Sequence, residues 1–388
     1  MANIFSPFIH NERQRDLWNL AHSLSVRAKS RRTEVDQQAS FSEEMLRDLK
    51  EADYVTLTLP EKYNGKNISL YELLLVQEQL AVGDGSTALS IGWHLGVVKE
   101  LADDQTWSAD DFHRLAIEIS EKKKIVNRAA TEPATGSPTR GGRPETSATL
   151  EGDHYVINGR KSFTTMANVL DYFIVSAYVE NKKAVGWFLI PNDVSGLTVE
   201  QTWDTLGMRG TGSDDLVLTN VKLPQEALVE IQSPKRVPKG WLLHIPACYL
   251  GIAIAARNDA IQFAKNYQPN SLKTTISEVP HVKQKIGEMD FELLQARHFM
   301  YAIAKKWDEN PEERNLLGPE LAAVKVSATN AALKVVDLAM RIVGGRGLSK
   351  DYSFEQYYRD VRAGIHNPPM EDMVIQMLAG RALENNQQ

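Results

Sequence analysis

Two clusters of residues in this 388-residue chain have the side-chain types that chemistry needs. The first is Thr131-Glu-Pro-Ala-Thr-Gly-Ser137, a turn marked by proline and glycine and furnished with small hydroxyls that donate or accept hydrogen bonds. Read alone, it is equally a plain surface loop. The second lies near the C-terminus, where His366-Asn367-Pro368 is followed by Glu371 and Asp372. Histidine moves protons near neutral pH and a positioned carboxylate accepts them, so His366 and Glu371 are of types that can do acid–base work. The competing readings are a satisfied structural histidine and a pair of first-turn acids on the last helix.

Other chemistries find no support. The chain has no G-x-G-x-x-G after a strand and no G-x-x-x-x-G-K-[ST], so neither common nucleotide-binding loop is present. It has no H-E-x-x-H, no His/Asp set at ligand spacing among its nine histidines, and no G-x-S-x-G. Cys248 is the only cysteine, which leaves no internal disulfide and no cysteine metal site and suits a reducing cytoplasm. A net charge of −6 argues against nucleic-acid binding. The N-terminus has neither a basic segment nor a long apolar one, and nowhere do 18 apolar residues run together, so neither export nor membrane insertion is expected.

The elements that must position these residues fall into three stretches. Residues 10–124 carry helical periodicity, as at Leu17, Leu20, Ala21 and Leu24, then Met45, Leu46 and Leu49, then 70–80. Ser40 or Ser42 is the expected N-cap ahead of Met45. From residue 125 the texture changes to short β-prone runs at 148–150, 154–157, 172–179, 184–190 and 216–223, with Gly152-Asp153 and Asn158-Gly159 as hairpin-like turns. A small antiparallel sandwich or barrel is expected. Beyond Pro224 and a linker over 232–240, long helices return near 241–267, 281–307 and 319–343. The predicted organisation is α+β and mostly α: a helical domain at 1–124, a β-domain at 125–232 and a helical bundle at 233–388.

Five segments occur in an order that resembles the acyl-CoA dehydrogenase family: Val126 to Ser137, Asn158-Gly-Arg-Lys-Ser-Phe-Thr-Thr165, Asp204-Thr-Leu-Gly-Met-Arg-Gly-Thr-Gly-Ser-Asp214, Asp337 to Gly347, and Tyr357-Tyr-Arg-Asp-Val-Arg362. The resemblance implies that family's three-part fold, a helical domain, a middle β-domain and a C-terminal four-helix bundle. It implies FAD as cofactor, with FMN the alternative. By the same resemblance Thr131, with the backbone of Ala129 and Ala130, faces the flavin pyrimidine edge, Phe163 covers the flavin, Thr165 contacts N5, and Ser137 lies at the acyl-CoA end. Arg341, Gly344 and Gly345 match the segment that wraps the FAD diphosphate of a neighbouring subunit, which implies a homodimer or homotetramer; a simple helix C-cap turn is compatible with that role.

The implied reaction is α,β-dehydrogenation of an acyl-CoA thioester in lipid metabolism, with hydride passing to flavin N5 and electrons onward to an electron-transfer flavoprotein. Two departures qualify it. The family's arginine after the long helix has no match in Gln268-Pro-Asn-Ser-Leu-Lys273, and Pro368 stands where the proton-abstracting glutamate is usual. A second placement of that glutamate falls near Trp241 and is also empty, leaving Glu371 as a shifted base. His366-Asn367-Pro368 is also similar to flavin-dependent monooxygenases of the same fold. A non-catalytic member that holds FAD or acyl-CoA is the remaining alternative.

Overall fold

The computed structural model describes residues 4–136, 142–233 and 237–385. The N-terminal stretch forms α1 (Glu12–Gln38), α2 (Glu43–Glu51), α3 (Leu70–Gly83), α4 (Gly85–Asp104) and α5 (Ala109–Lys122). Each begins where a short polar side chain accepts a hydrogen bond from an otherwise unpaired first-turn amide. Asn11 accepts from Gln14, Ser42 from Met45, Asp84 from Thr87 and Ser108 from Asp111, while Ser69 and Glu72 form a reciprocal capping box. The cap of α2 is therefore Ser42 and not Ser40.

The strands β1 (Val126–Ala129), β2 (Ser147–Glu151), β3 (His154–Thr164), β4 (Tyr172–Val179), β5 (Ala184–Pro191), β6 (Leu197–Glu200), β7 (Asp214–Pro224) and β8 (Leu228–Ile231) build one connected sheet. Its order is β6-β7-β3-β2-β4-β5-β8, with β1 parallel to β4. Gly152-Asp153 is the expected turn between β2 and β3. Asn158-Gly159 is not a turn: it is a bulge within β3, marked by a register shift against β7 between Ile157 and Gly159. The Asn158 carboxamide oxygen accepts from the amide of Asn220 on β7 at 2.8 Å, which holds the bulge in the sheet.

The chain then forms α6 (His244–Asn266), α7 (Pro280–Glu309), α8 (Gly318–Val343), α9 (Phe354–His366) and α10 (Glu371–Asn385). The helical stretch Gly240–Asn266 is long and apolar enough to cross a membrane by length and composition, but 89% of its apolar window is buried inside the protein. Its neighbours explain that burial, because α6 packs against α3, α4, α8 and α9 and so runs through the shared core. An ion pair with almost no solvent exposure ties α3 to α7. The Arg297 guanidinium donates to both Glu78 carboxylate oxygens at 2.7 and 2.9 Å, and the Tyr301 hydroxyl adds a third donor at 2.8 Å.

Candidate functional site

The Thr131 turn is fixed to the sheet from inside. Glu132, next to Thr131, is buried and accepts from the Lys161 ammonium at 2.6 Å and from the amides of Glu145 at 2.6 Å and Thr146 at 3.2 Å. Lys161 donates onward to the Ser176 hydroxyl on β4 at 3.0 Å. Burial pushes the Glu132 carboxyl up, but these hydrogen bonds override it and hold the group below its ordinary value. One residue beyond Lys161, the amide of Ser162 donates to the Thr131 carbonyl at 2.8 Å. Thus the first two sequence segments meet, and the end of β3 lies beside the start of the turn.

Phe163 follows at φ 57°, in the left-handed region that a bulky side chain rarely adopts, and its ring is 63% exposed. Its ring meets the edge of Trp203, with centroids 6.0 Å apart. Thr165 is buried and its hydroxyl is paired with Ser213 at 2.9 Å, which is in turn paired with Thr211 at 2.8 Å. The third segment is therefore hydrogen-bonded to the second.

The fifth segment anchors the third. Asp360 on α9 is buried and accepts from the Met208 amide at 2.6 Å, while Arg359 donates to the Leu206 carbonyl at 3.0 Å and clasps Asp36 of α1 at 2.7 Å. Burial raises the Asp360 carboxyl to about 7 despite the Met208 hydrogen bond. Gly207 is required here because a Cβ would strike the Arg359 carbonyl.

Arg341 lies at the end of α8, and Gly344 and Gly345 in the turn that follows it. They line an open groove of about 530 Å³ together with Leu348, Tyr358 and Arg359, and Leu348 is 74% exposed. Gly344 takes φ 68° and its amide caps α8 by donating to the Met340 carbonyl, so the C-cap role is real. Arg341 extends from the surface with Asp337 at 2.7 Å as its partner.

Three domain descriptions cover most of the chain: acyl-CoA dehydrogenase N-terminal domain at residues 11–103, middle domain at 127–221 and C-terminal domain at 243–364. The Bacillus subtilis protein named "Putative acyl-CoA dehydrogenase YdbM" is 50% identical over 98% of this chain and 100% of its own. The chain belongs to the acyl-CoA dehydrogenase family. Membership makes it an oxidoreductase of the flavin-dependent, acyl-CoA-directed kind. The fold agrees with a solved glutaryl-CoA dehydrogenase from Mycobacterium smegmatis in complex with FADH2, at a TM-score of 0.85 with 19% identity, covering 97% of this chain and 96% of that one. Another relative is dibenzothiophene monooxygenase of Rhodococcus erythropolis, 26% identical over 90% of this chain and 89% of its own.

Within this acyl-CoA dehydrogenase scaffold, the two positions that the sequence resemblance marks for the base hold Pro368 and Trp241. Pro368 is half-buried, and the neighbouring Asn367 is tied to α6 by a hydrogen bond from the Tyr249 hydroxyl. The Trp241 indole is buried; it donates to Glu100 at 2.9 Å, and Glu100 also receives Lys239 at 2.7 Å. Glu371 and Asp372 open α10 as first-turn acids, and Glu371 is exposed and accepts from Asn330 at 3.3 Å. His366 ends α9 and is exposed. Ser137 lies outside the described residues.

Two histidines that the sequence reading passed over are fully buried. His94 on α4 accepts the Val126 amide of β1 at Nδ1, 3.1 Å, which leaves its Nε2 proton for the Val55 carbonyl at 2.9 Å. Burial lowers its pKa to about 4 and that of His244 to about 3. Both sit below the ordinary imidazole value, so their contribution is full above about 6.5 and is lost as pH falls towards 4, because the unfolded chain then binds the extra protons. We expect thermal unfolding to drop steeply across that window. His94→Gln should flatten the drop, and an unchanged slope would contradict this role.

Proposed function

We propose that this chain is an FAD-dependent dehydrogenase that removes the C2 and C3 hydrogens of a small-molecule acyl-CoA thioester. The observation that carries the reading is the junction of Thr131 with Ser162, which sets the ends of Ala129–Thr131 and Phe163–Thr165 side by side with the aromatic ring exposed. A bound flavin supplies the hydride acceptor. The chain would then provide backbone donors at Ala129, Ala130 and Thr131 to the pyrimidine edge, the Thr165 hydroxyl near N5, and Phe163 as a cover that excludes water. Ser137 is assigned to the acyl-CoA end by its match to the family motif.

The second contribution comes from another copy of the chain. Arg341 with Gly344 and Gly345 suits a diphosphate, since glycine permits close approach and a guanidinium forms paired hydrogen bonds, and the groove they line is open on one side. We assign it to the FAD of a neighbouring subunit in a homodimer or homotetramer. Electrons would leave to an electron-transfer flavoprotein, in a cytoplasmic pathway of lipid metabolism. Arg341→Ala should weaken FAD retention roughly tenfold, the value of one charged hydrogen bond, without moving the melting temperature of the apoprotein. Equal FAD affinity in both proteins would remove Arg341 from the site.

Purified protein loaded with FAD should be yellow and stay so through gel filtration. A preparation that cannot be loaded contradicts the reading. The monooxygenase relative and the filled base positions favour a second reading, oxygen chemistry on reduced flavin with FMN in place of FAD and His366 as the proton donor. It predicts no anaerobic bleaching by acyl-CoA. The sequence leaves Glu371 and His366 as candidate proton-transfer groups of the reaction.

A further inference from the structure

A chain of three hydroxyls runs from the interior to the candidate flavin surface. The Thr211 hydroxyl donates to the Met208 carbonyl at 2.9 Å, the Thr211 and Ser213 hydroxyl oxygens are 2.8 Å apart, and those of Ser213 and Thr165 are 2.9 Å apart. Each of these oxygen–oxygen contacts needs one proton, and each hydroxyl brings one. A carbonyl brings none, so three contacts consume all three protons and the direction is fixed. Thr211 gives to Met208, Ser213 gives to Thr211, and Thr165 gives to Ser213. The Thr165 oxygen is left with lone pairs only. Donation along such a chain polarises each hydroxyl in turn and makes that last oxygen a stronger acceptor.

The surrounding backbone fixes the oxygen positions. The Met208 carbonyl also receives the Thr211 amide at 3.1 Å and the Trp203 indole at 3.3 Å, while the Met208 amide is held by Asp360 at 2.6 Å. Between the segments, the Met166 amide donates to the Thr211 carbonyl at 3.0 Å and the Ala167 amide to the Gly212 carbonyl at 3.3 Å. The Asn127 side chain of β1 donates to the Thr165 carbonyl at 3.2 Å. Reversing the chain would leave the Thr211 and Met208 oxygens facing each other at 2.9 Å with no proton between them. Exposure grows outwards, from 2% at Thr211 through 5% at Ser213 to 9% at Thr165, so the acceptor end is the one that opens to the surface, two residues from Phe163.

We infer that Thr211 and Ser213 are positioning residues that make Thr165 a hydrogen-bond acceptor towards flavin N5, so that this chain favours reduced over oxidised flavin. The inference rests on the flavin placement proposed above, which assigns Thr165 to N5. Oxidised N5 carries a lone pair, which the Thr165 lone pairs only oppose. In the proposed reaction the C3–H bond of the thioester breaks with its electron pair, an N5–H bond forms, and the C2 proton leaves separately to the base. The substrate loses the two electrons that the flavin gains. Thr165 accepts the new N5–H, and because that contact exists only on the reduced side it raises the potential of the bound flavin.

The test is the midpoint potential of FAD bound to the full chain, measured by anaerobic equilibration with a redox dye of known potential. Thr165→Val removes the acceptor and should lower the ratio of affinities for reduced and oxidised FAD by roughly five- to tenfold, the worth of one hydrogen bond, which in a two-electron couple is a potential about 20–30 mV more negative. Ser213→Ala frees the Thr165 proton to turn towards oxidised N5 and should lower the potential at least as far. Thr211→Val keeps the side-chain shape and lies two hydrogen bonds further in; it should act in the same direction, because it frees Ser213 to donate to Thr165. Ser213→Thr, which retains the hydroxyl, should keep the parent's value. Thr165→Val combined with Ser213→Ala should match Thr165→Val alone, since Ser213 acts only through Thr165. A potential that rises in Thr165→Val shows that Thr165 donates to N5 and overturns the assignment. So does the parent's value in Ser213→Ala, or in Thr211→Val where Ser213→Ala does not fold, and so do additive shifts in the double variant. Failure of the parent protein to retain FAD would sink the flavin reading itself, whereas retained FAD with an unmoved potential sinks this inference alone.

Discussion

Glu132→Ala should unfold the Thr131 turn and release the flavin. The substitution strands the Lys161 ammonium with no solvent exposure and removes the acceptor of the Glu145 and Thr146 amides. Breaking one side of a buried ion pair costs about 3–5 kcal/mol. For a protein of this size that lowers the melting temperature by roughly 4–6 °C. Because Ser162 hangs on the Thr131 carbonyl next door, the loss should appear equally in FAD retention. Glu132→Gln with Lys161→Met removes both charges, and should recover more than half of the lost stability. Since hydrogen bonds depress the Glu132 carboxyl, its contribution is present above its ordinary value near 4.5 and fades as pH falls below that. A melting temperature and flavin content equal to the parent would show that the turn is held by something else.

Arg297→Met should be as costly for the fold, while leaving the candidate site's chemistry unaltered in the molecules that remain folded. Glu78 has no exposed side-chain surface, and its two oxygens receive Arg297 and Tyr301. Arg297 also donates to the Ile4 carbonyl at 2.6 Å and lies 4.2 Å from the Phe8 ring centroid, so the N-terminal segment loses its anchor. The expected loss is about 3–5 kcal/mol, read as a drop in melting temperature by scanning fluorimetry. Pairing it with Glu78→Leu should return most of it, because a well-packed apolar pair avoids the desolvation of two charges. A single substitution that melts like the parent would mean the pair contributes nothing.

These two pairs mark the limit of what the sequence reveals. Helices α1 to α3 are legible because Leu17, Ala21 and Leu24 repeat at helical spacing, as do the apolar residues of 70–80, and Ser42 stands at the cap of α2. The candidate flavin segments are legible as short motifs whose residue types have a chemical use. What joins them is not. Glu132 finds Lys161 across the sheet, and Asp360 finds Met208 from another domain; both depend on register and packing that no local pattern encodes. The four-residue β1 shows no strand alternation of its own, because it is short and buried against β4. Asn158-Gly159 has the composition of a turn, and only the pairing of β3 with β7 turns it into a bulge. His244 was invisible for a related reason: a histidine in an apolar helix start is unremarkable until both nitrogens prove to lack partners among the described residues.

The measurement that bears most directly on the central claim is anaerobic titration of the FAD-loaded protein with a panel of acyl-CoAs, followed by the flavin absorbance. The account predicts stoichiometric bleaching by at least one saturated acyl-CoA, with the 2-enoyl-CoA as product. Persistent yellow colour with every acyl-CoA, combined with a long-lived oxygen adduct when reduced flavin meets air, would contradict it.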